Sequence, residues 1–251
     1  MKCLTKEILM NYFWHTLIGL SFVFACTVAG SAAACFIGGE KAGRHAPLFG
    51  GISAGVMLAS SVWSLLVPAL ADGKTENVIS VAAGFAVGAI SFALLGATLK
   101  EDENGGYKNL FIAMTAHNVP EGASVGFAYG AAASGAITPA AAFAIAVGIG
   151  VQNVPEGSAM VFPARKFTTR KKAFLLGTLS GAVEPVFGLI GFFASHALVS
   201  LMPVFTSFAA AAMIYTVFSE LSKDISENPL KGAVGACAGF LVMTLLDVLL
   251  G

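Results

Sequence analysis

The sequence predicts an all-α, polytopic membrane protein of eight transmembrane helices, and three observations carry that expectation. Of 251 residues, 57% are hydrophobic and only 11% charged, with a mean hydropathy of +0.82; a soluble domain carries about 25% charged residues. Eight apolar stretches are long enough to cross roughly 30 Å of hydrocarbon as helices. The polar stretches between them are too short for a separate soluble domain, so residues 1–251 read as one membrane-embedded domain. Formal net charge is zero, and no basic patch with interleaved aromatics marks a nucleic-acid partner.

The first span is expected at residues 12–39. Lys2 and Lys6 precede it as in a signal peptide, but its apolar run exceeds the about 7–15 residues of a signal core, so it reads as a true span. Further spans are expected at 47–70, 77–99, 109–133, 137–163, 172–197, 201–221 and 230–250. Short connections rich in Gly, Pro, Asp, Asn and Lys separate them at 40–46, 71–76, 100–108, 134–136, 164–171 and 222–229, with a break near 196–202. Abundant small residues, 29 Gly among them, let helices approach closely where no water drives association. The cysteines Cys3, Cys26, Cys35 and Cys237 show no paired spacing and read as small packing residues.

Eleven of the 14 Lys and Arg fall in the connections after spans one, three, five and seven or just beyond them. The positive-inside rule then places those connections in the cytoplasm and both termini outside, in the cell (inner or plasma) membrane. The cluster Arg165, Lys166, Arg170, Lys171, Lys172 dominates this count. Its first role is topology, with contact to anionic lipid as a second reading.

Five of the 14 acidic residues lie within spans: Glu121, Glu156, Glu184, Glu220 and Asp247. No Lys or Arg sits well inside a span to pair with them, and an unpaired buried carboxylate must take up a proton or bind a cation. Two of the five belong to a repeat. Asn118-Val119-Pro120-Glu121-Gly122 returns 35 residues later as Asn153-Val154-Pro155-Glu156-Gly157, preceded by His117 in the first copy and by Gln152 in the second. His117/Glu121 and Gln152/Glu156 are spaced i, i+4, and each Asn lies i, i+3 from its Glu, so each set shares one helix face. Pro120 and Pro155 each remove a backbone donor, opposite the carbonyls of Ala116 and Val151. Gly122 and Gly157 allow close approach of a neighbour. Because these spans run antiparallel, the two copies form a pseudo-two-fold pair of broken helices at the core.

At about 1.5 Å per residue, His117 and Glu121 lie about 12–18 Å into the bilayer, Gln152 and Glu156 about 10–17 Å, Glu184 about 18 Å and Met57 on span two about 15 Å. All fall near the midplane. By depth alone Glu220 and Asp247 read as interfacial anchors. A lone His/Glu pair on a helix is more often a surface pair than a ligand pair; the repeat, Glu184 and the shared depth argue against that bland reading here. Imidazole with carboxylates, amides and a thioether suits Zn²⁺ and other first-row divalent ions better than Mg²⁺ or Ca²⁺. The expected function is therefore transport of a divalent metal ion, with Zn²⁺ as the transported substrate and Cd²⁺, Fe²⁺ and Mn²⁺ as further candidates. Two alternatives are weighed against it. An intramembrane metallohydrolase would use metal-bound water, but no HExxH motif is present, so no enzyme is expected. A proton- or sodium-coupled carrier of an organic solute would use the carboxylates as ion carriers, and would be competed by organic solutes.

These residues resemble the ZIP family of divalent-metal transporters (Zrt/Irt-like proteins), most closely its GufA-type branch. The resemblance is carried by His117 to Gly122, Gln152 to Gly157, Glu184-Pro185, Gly55-Val56-Met57-Leu58-Ala59-Ser60-Ser61-Val62-Trp63-Ser64-Leu65-Leu66, Ala212-Met213-Ile214-Tyr215 and Glu220-Leu221, and it covers most of the chain. It implies a binuclear metal site. One centre would use Met57, His117, Glu121, Gln152 and Glu156; the other Asn118, Glu121, Asn153, Glu156 and Glu184, with Glu121 and Glu156 bridging. It also implies import into the cytoplasm, a homodimer, an exit-path role for Glu220, and an elevator-type motion of spans one, four, five and six against two, three, seven and eight. Two departures stand out. The 100–108 connection lacks a His-rich stretch, and Asn153 stands where some relatives carry Asp, which makes the second centre less charged.

Overall fold

The computed structural model describes residues 6–36, 40–71, 73–99 and 106–250. Lys2, Cys3, Gly39, Gly251 and most of the 100–108 connection lie outside the described residues. The described chain is helical throughout apart from short connections. In order, the α-helices are α1 (Lys6–Phe36), α2 (Glu40–Ser60), α3 (Val67–Leu70), α4 (Thr75–Thr98), α5 (Gly106–Ser134), α6 (Pro139–Phe167), α7 (Arg170–Gly181), α8 (Val183–Leu198), α9 (Met202–Thr216), α10 (Ser222–Glu227) and α11 (Pro229–Leu250). A π-helical stretch, Ser61–Leu66, joins α2 to α3, and another, Val217–Leu221, joins α9 to α10. Among the described residues, six helical stretches are long and apolar enough to cross a membrane: Glu7–Phe36, Arg44–Leu70, Thr75–Thr98, Arg170–Ser195, Met202–Glu227 and Pro229–Leu249. Helices α5 and α6, 29 residues each, match them in length but carry the polar repeat in their middles.

Local chemistry explains the joints. Gly135, at φ +78°, closes α5 in the left-handed conformation, with Ala136 N donating to Ala131 O at 2.9 Å and Gly135 N to Ala132 O at 3.0 Å. Four residues later α6 begins. Thr138 Oγ1 accepts from Ala141 N at 3.1 Å, and Pro139 takes the first helical position, where no N–H is needed. Thr169 caps α7 in the same way, accepting from Lys172 N at 3.3 Å. The expected sixth span is two helices, broken at Ala182. Pro185 supplies the reason: it has no N–H, and its ring crowds the carbonyl of Gly181.

Two expected connections are helical. Residues 40–46 open α2, and 222–227 form α10. Both are polar but rich in helix-compatible residues, so the helix continues past the apolar stretch. Similarly, α6 runs on to Phe167, shrinking the expected 164–171 connection to Thr168 and Thr169.

The principal packing pairs are α2 with α11, α5 with α8, α1 with α6, and α4 with α9. They sort into two groups, α1, α5, α6, α7 and α8 in one and α2, α4, α9, α10 and α11 in the other, which meet where α2 lies against α6 and α9 against α5. Small residues set the spacing inside the first group. Gly122, Gly126 and Gly130, one turn apart on α5, press on the backbone or short side chains of Glu184, Gly188 and Ser195 on α8. Gly157 of α6 presses in the same way on Thr27 and Ser31 of α1. Large apolar side chains such as Ile18, Val87, Leu94, Ile190 and Val248 are exposed on the outside, as a hydrocarbon surround requires.

Candidate metal centre

The repeat occupies the middle of its two helices. Glu121 is about 22 Å along α5 and Glu156 about 25 Å along α6, each helix being about 43 Å long. The two copies cross-pair. His117 Nε2 and Glu156 Oε1 share a hydrogen bond of 3.0 Å, and Gln152 Nε2 donates to Glu121 Oε1 at 2.7 Å. Four residues forward on α5 is thus four residues back on α6, a single antiparallel register. In each pair the residue before one motif copy meets the carboxylate of the other. Ligand atoms of His117, Glu121 and Glu156 lie within 4.8 Å of one another.

A second layer lies beside the first. Asn153 Nδ2 donates to Glu184 Oε1 at 2.9 Å and to Thr27 Oγ1 at 3.0 Å, and Thr27 Oγ1 in turn lies 3.5 Å from Glu184 Oε1. Asn118 Nδ2 donates to the Ser180 carbonyl at 2.9 Å, next to the α7–α8 break. The break therefore does positional work: it turns Glu184 and the Ser180 carbonyl toward the two asparagines. Gly122 makes this possible, because a Cβ at that position would sit 2.5 Å from Glu184 Cα.

Besides the buried Thr27, seven polar side chains make up the cluster, all of them buried, and His117, Glu121, Gln152, Asn153 and Glu184 completely so. Each also has one buried atom without a protein partner: His117 Nδ1, Asn118 Oδ1, Glu121 Oε2, Gln152 Oε1, Asn153 Oδ1, Glu156 Oε2 and Glu184 Oε2. Buried polar atoms are nearly always hydrogen-bonded, so seven exceptions in one cluster need a reason. With Gln152 and Asn153 donating through their nitrogens, their remaining oxygens are acceptors. So are the free carboxylate oxygens, and so is His117 Nδ1 when Nε2 carries the proton. The cluster offers lone pairs and no Lys or Arg, which suits a cation and repels an anion.

The remaining expected residues fall elsewhere. Met57 is buried in an apolar cluster that also contains Ala54, Ala159, Ala210 and Met213. Its sulfur lies 3.9 Å from Ser53 Oγ. Glu220 is outside the cluster, on the π-helical stretch after α9, and accepts from Lys223 Nζ at 3.4 Å. Asp247 accepts from Ser64 Oγ at 2.6 Å, tying α11 to the other π-helical stretch. Sequence reasoning missed Thr27 and the Ser180 carbonyl. A lone threonine in an apolar run gives no signal, and a backbone carbonyl gives none until the helix break is known.

No family model matches the chain. Individual proteins do. The chain is similar to "Zinc transporter ZIP11" of Xenopus tropicalis, 30% identical over 333 aligned positions that take in 94% of this chain and 97% of that protein. It is similar to "Zinc transporter GufA" of Myxococcus xanthus, 30% identical over 223 positions, 80% of this chain and 85% of that protein. The human "Zinc transporter ZIP11" is 36% identical over 147 positions, and there the match spans 57% of this chain and only 43% of the human protein.

Proposed function

The chain belongs to the ZIP family, in its GufA-like branch, and on that premise we propose that it transports divalent metal ions across a membrane, with Zn²⁺ as the first substrate. The names of its relatives support zinc. One observation of this chain carries the reading furthest: six buried ligand side chains on two antiparallel copies of one motif, joined by Glu184 of α8, each with a lone pair left for a cation. The function is carriage rather than catalysis. Carboxylates and amides hold a first-row ion loosely enough to release it, where a thiolate and imidazole cage would retain it.

In this reading Met57, His117, Glu121, Gln152 and Glu156 form one centre, and Asn118, Glu121, Asn153, Glu156 and Glu184 the other. Glu121 and Glu156 bridge the two. The Asn153–Glu184 hydrogen bond of 2.9 Å occupies one oxygen of Glu184, as the Gln152–Glu121 and His117–Glu156 bonds occupy one oxygen of each bridging carboxylate, and all three keep Oε2 for an ion. The helices α5 and α6 cross the bilayer with the six apolar stretches, which gives eight spans, both termini outside and the Arg165–Lys172 region in the cytoplasm. Transport runs inward. The sorting of the helices into two groups supports an elevator-type motion in which the group carrying the site slides against the other, with Glu220 on the exit path and a homodimer as the assembled form.

The test is uptake by proteoliposomes that contain the purified chain, offered Zn²⁺, Cd²⁺, Fe²⁺, Mn²⁺, Mg²⁺ and Ca²⁺ in turn. Zn²⁺ accumulates above protein-free vesicles, and Mg²⁺ and Ca²⁺ do not compete. Accumulation of none of the first-row ions would refute the proposal.

A further inference from the structure

At the end of the bundle where α1 finishes and α7 begins, the surface changes character within one groove. Its floor is apolar: Ala32, Cys35 and Phe36 of α1 face Phe174 of α7. Its mouth is cationic, lined by Arg170 and Lys171. The groove is shallow and largely open, with a volume of about 480 Å³. Both helices belong to stretches apolar enough to cross a membrane, so the floor lies at acyl-chain depth and the mouth at the level of the headgroups. The rim is fixed in place. The Cys35 thiol donates to the Arg170 carbonyl at 3.7 Å, and the Arg170 guanidinium carbon stands 5.2 Å from the centre of the Phe36 ring. Arg165 adds a third cation nearby, its Nη1 donating to the Ala34 carbonyl at 3.2 Å. Phe36 is 80% exposed, a large apolar surface set directly beneath a positive charge. Among the described residues, no carboxylate pairs with Arg170 or Lys171.

We propose that this groove binds one anionic phospholipid, its phosphate between Arg170 and Lys171 and an acyl chain along Ala32, Cys35, Phe36 and Phe174. The two halves of the groove select the two halves of such a molecule. A soluble polyanion would satisfy the cations and leave the aromatic floor uncovered, whereas a zwitterionic lipid would fill the floor and gain little from the cations. The groove lies outside the metal cluster, so this lipid site stands or falls independently of the transport reading.

Native mass spectrometry of the full chain, equilibrated with equal phosphatidylglycerol and phosphatidylcholine of matched chains, tests it. The parent retains phosphatidylglycerol in preference. Each basic residue near an anionic surface contributes roughly fivefold, so the double variant Arg170→Gln/Lys171→Gln loses about 30-fold of that preference. The charge-conserving pair Arg170→Lys/Lys171→Arg keeps it. A control that removes equal charge from α10 and α11, Lys223→Gln/Lys231→Gln, also keeps it. Ala32→Phe, which fills the floor, lowers retention of the lipid, and deacylated glycerophosphoglycerol does not displace it. Equal losses in the control and the groove variant, an unchanged preference in Arg170→Gln/Lys171→Gln, or displacement by glycerophosphoglycerol as effective as by the intact lipid would each overturn the proposal.

Discussion

Replacing Gly122 by alanine adds one carbon where no room exists. The new Cβ would lie 2.5 Å from Glu184 Cα and closer still to the Glu184 carbonyl oxygen. Carbon atoms rest about 3.5–4.0 Å apart, so α5 and α8 must separate by about 1 Å, and both contacts are backbone, which cannot swing aside as a side chain can. Overpacking of this kind costs about 1–3 kcal/mol. The same shift carries Glu184 away from Asn153, a bond that has little slack at 2.9 Å, so the loss should reach the cluster as well as the fold. Gly148→Ala is the matched control, because its nearest neighbours are the tips of Met243 and Ser64 side chains at 3.0 and 3.2 Å, which can move. Denaturant unfolding in mixed micelles, followed by circular dichroism, gives the stability change, and calorimetric zinc titration of the folded variant gives the affinity. Gly122→Ala as stable as Gly148→Ala, with unchanged zinc affinity, would refute the packing argument.

Three further outcomes follow from the cluster and the charge distribution. His117→Ala removes the cluster's single imidazole and should move competition from Zn²⁺ toward harder ions, read from uptake with a panel of divalent ions. Protons and a metal ion compete for the same imidazole and carboxylate lone pairs, so binding should weaken as pH falls; calorimetric zinc titrations across a pH series check this, and an affinity independent of pH would contradict it. In a cysteine-free background, Lys2→Cys should label from outside intact cells, whereas Lys171→Cys should label only after permeabilisation.

Much of the candidate site was legible in the sequence because its information is periodic. The i, i+4 spacing of His117/Glu121 and Gln152/Glu156 implied one face per helix, and the antiparallel course of neighbouring spans implied that the faces meet; the cross-paired bonds of 3.0 and 2.7 Å follow that geometry. Gly122 and Gly157 do serve close approach, to α8 and α1. What stayed hidden was not periodic. The two π-helical stretches each add to a turn without changing composition. The break at Ala182 depends on Pro185 acting four residues back, inside a stretch whose apolarity reads as one span. Thr27 enters through tertiary contact alone, and its local run is indistinguishable from lipid-facing sequence. Residues 40–46 and 222–227 were misjudged for the opposite reason: polarity marks the edge of the membrane, and the helix does not have to stop there.

The central claim is that the two repeated carboxylates hold the transported ion between them, and zinc uptake by proteoliposomes containing Glu121→Gln and Glu156→Gln tests it most directly. Glutamine keeps the side-chain volume and replaces a charged oxygen by an amide, so each helix should remain folded while the cluster loses a charge and an acceptor. With rates normalised to the protein incorporated, both variants should fall to the level of protein-free vesicles or close to it. Transport by both at the parental rate would contradict the account, however closely the chain follows its relatives.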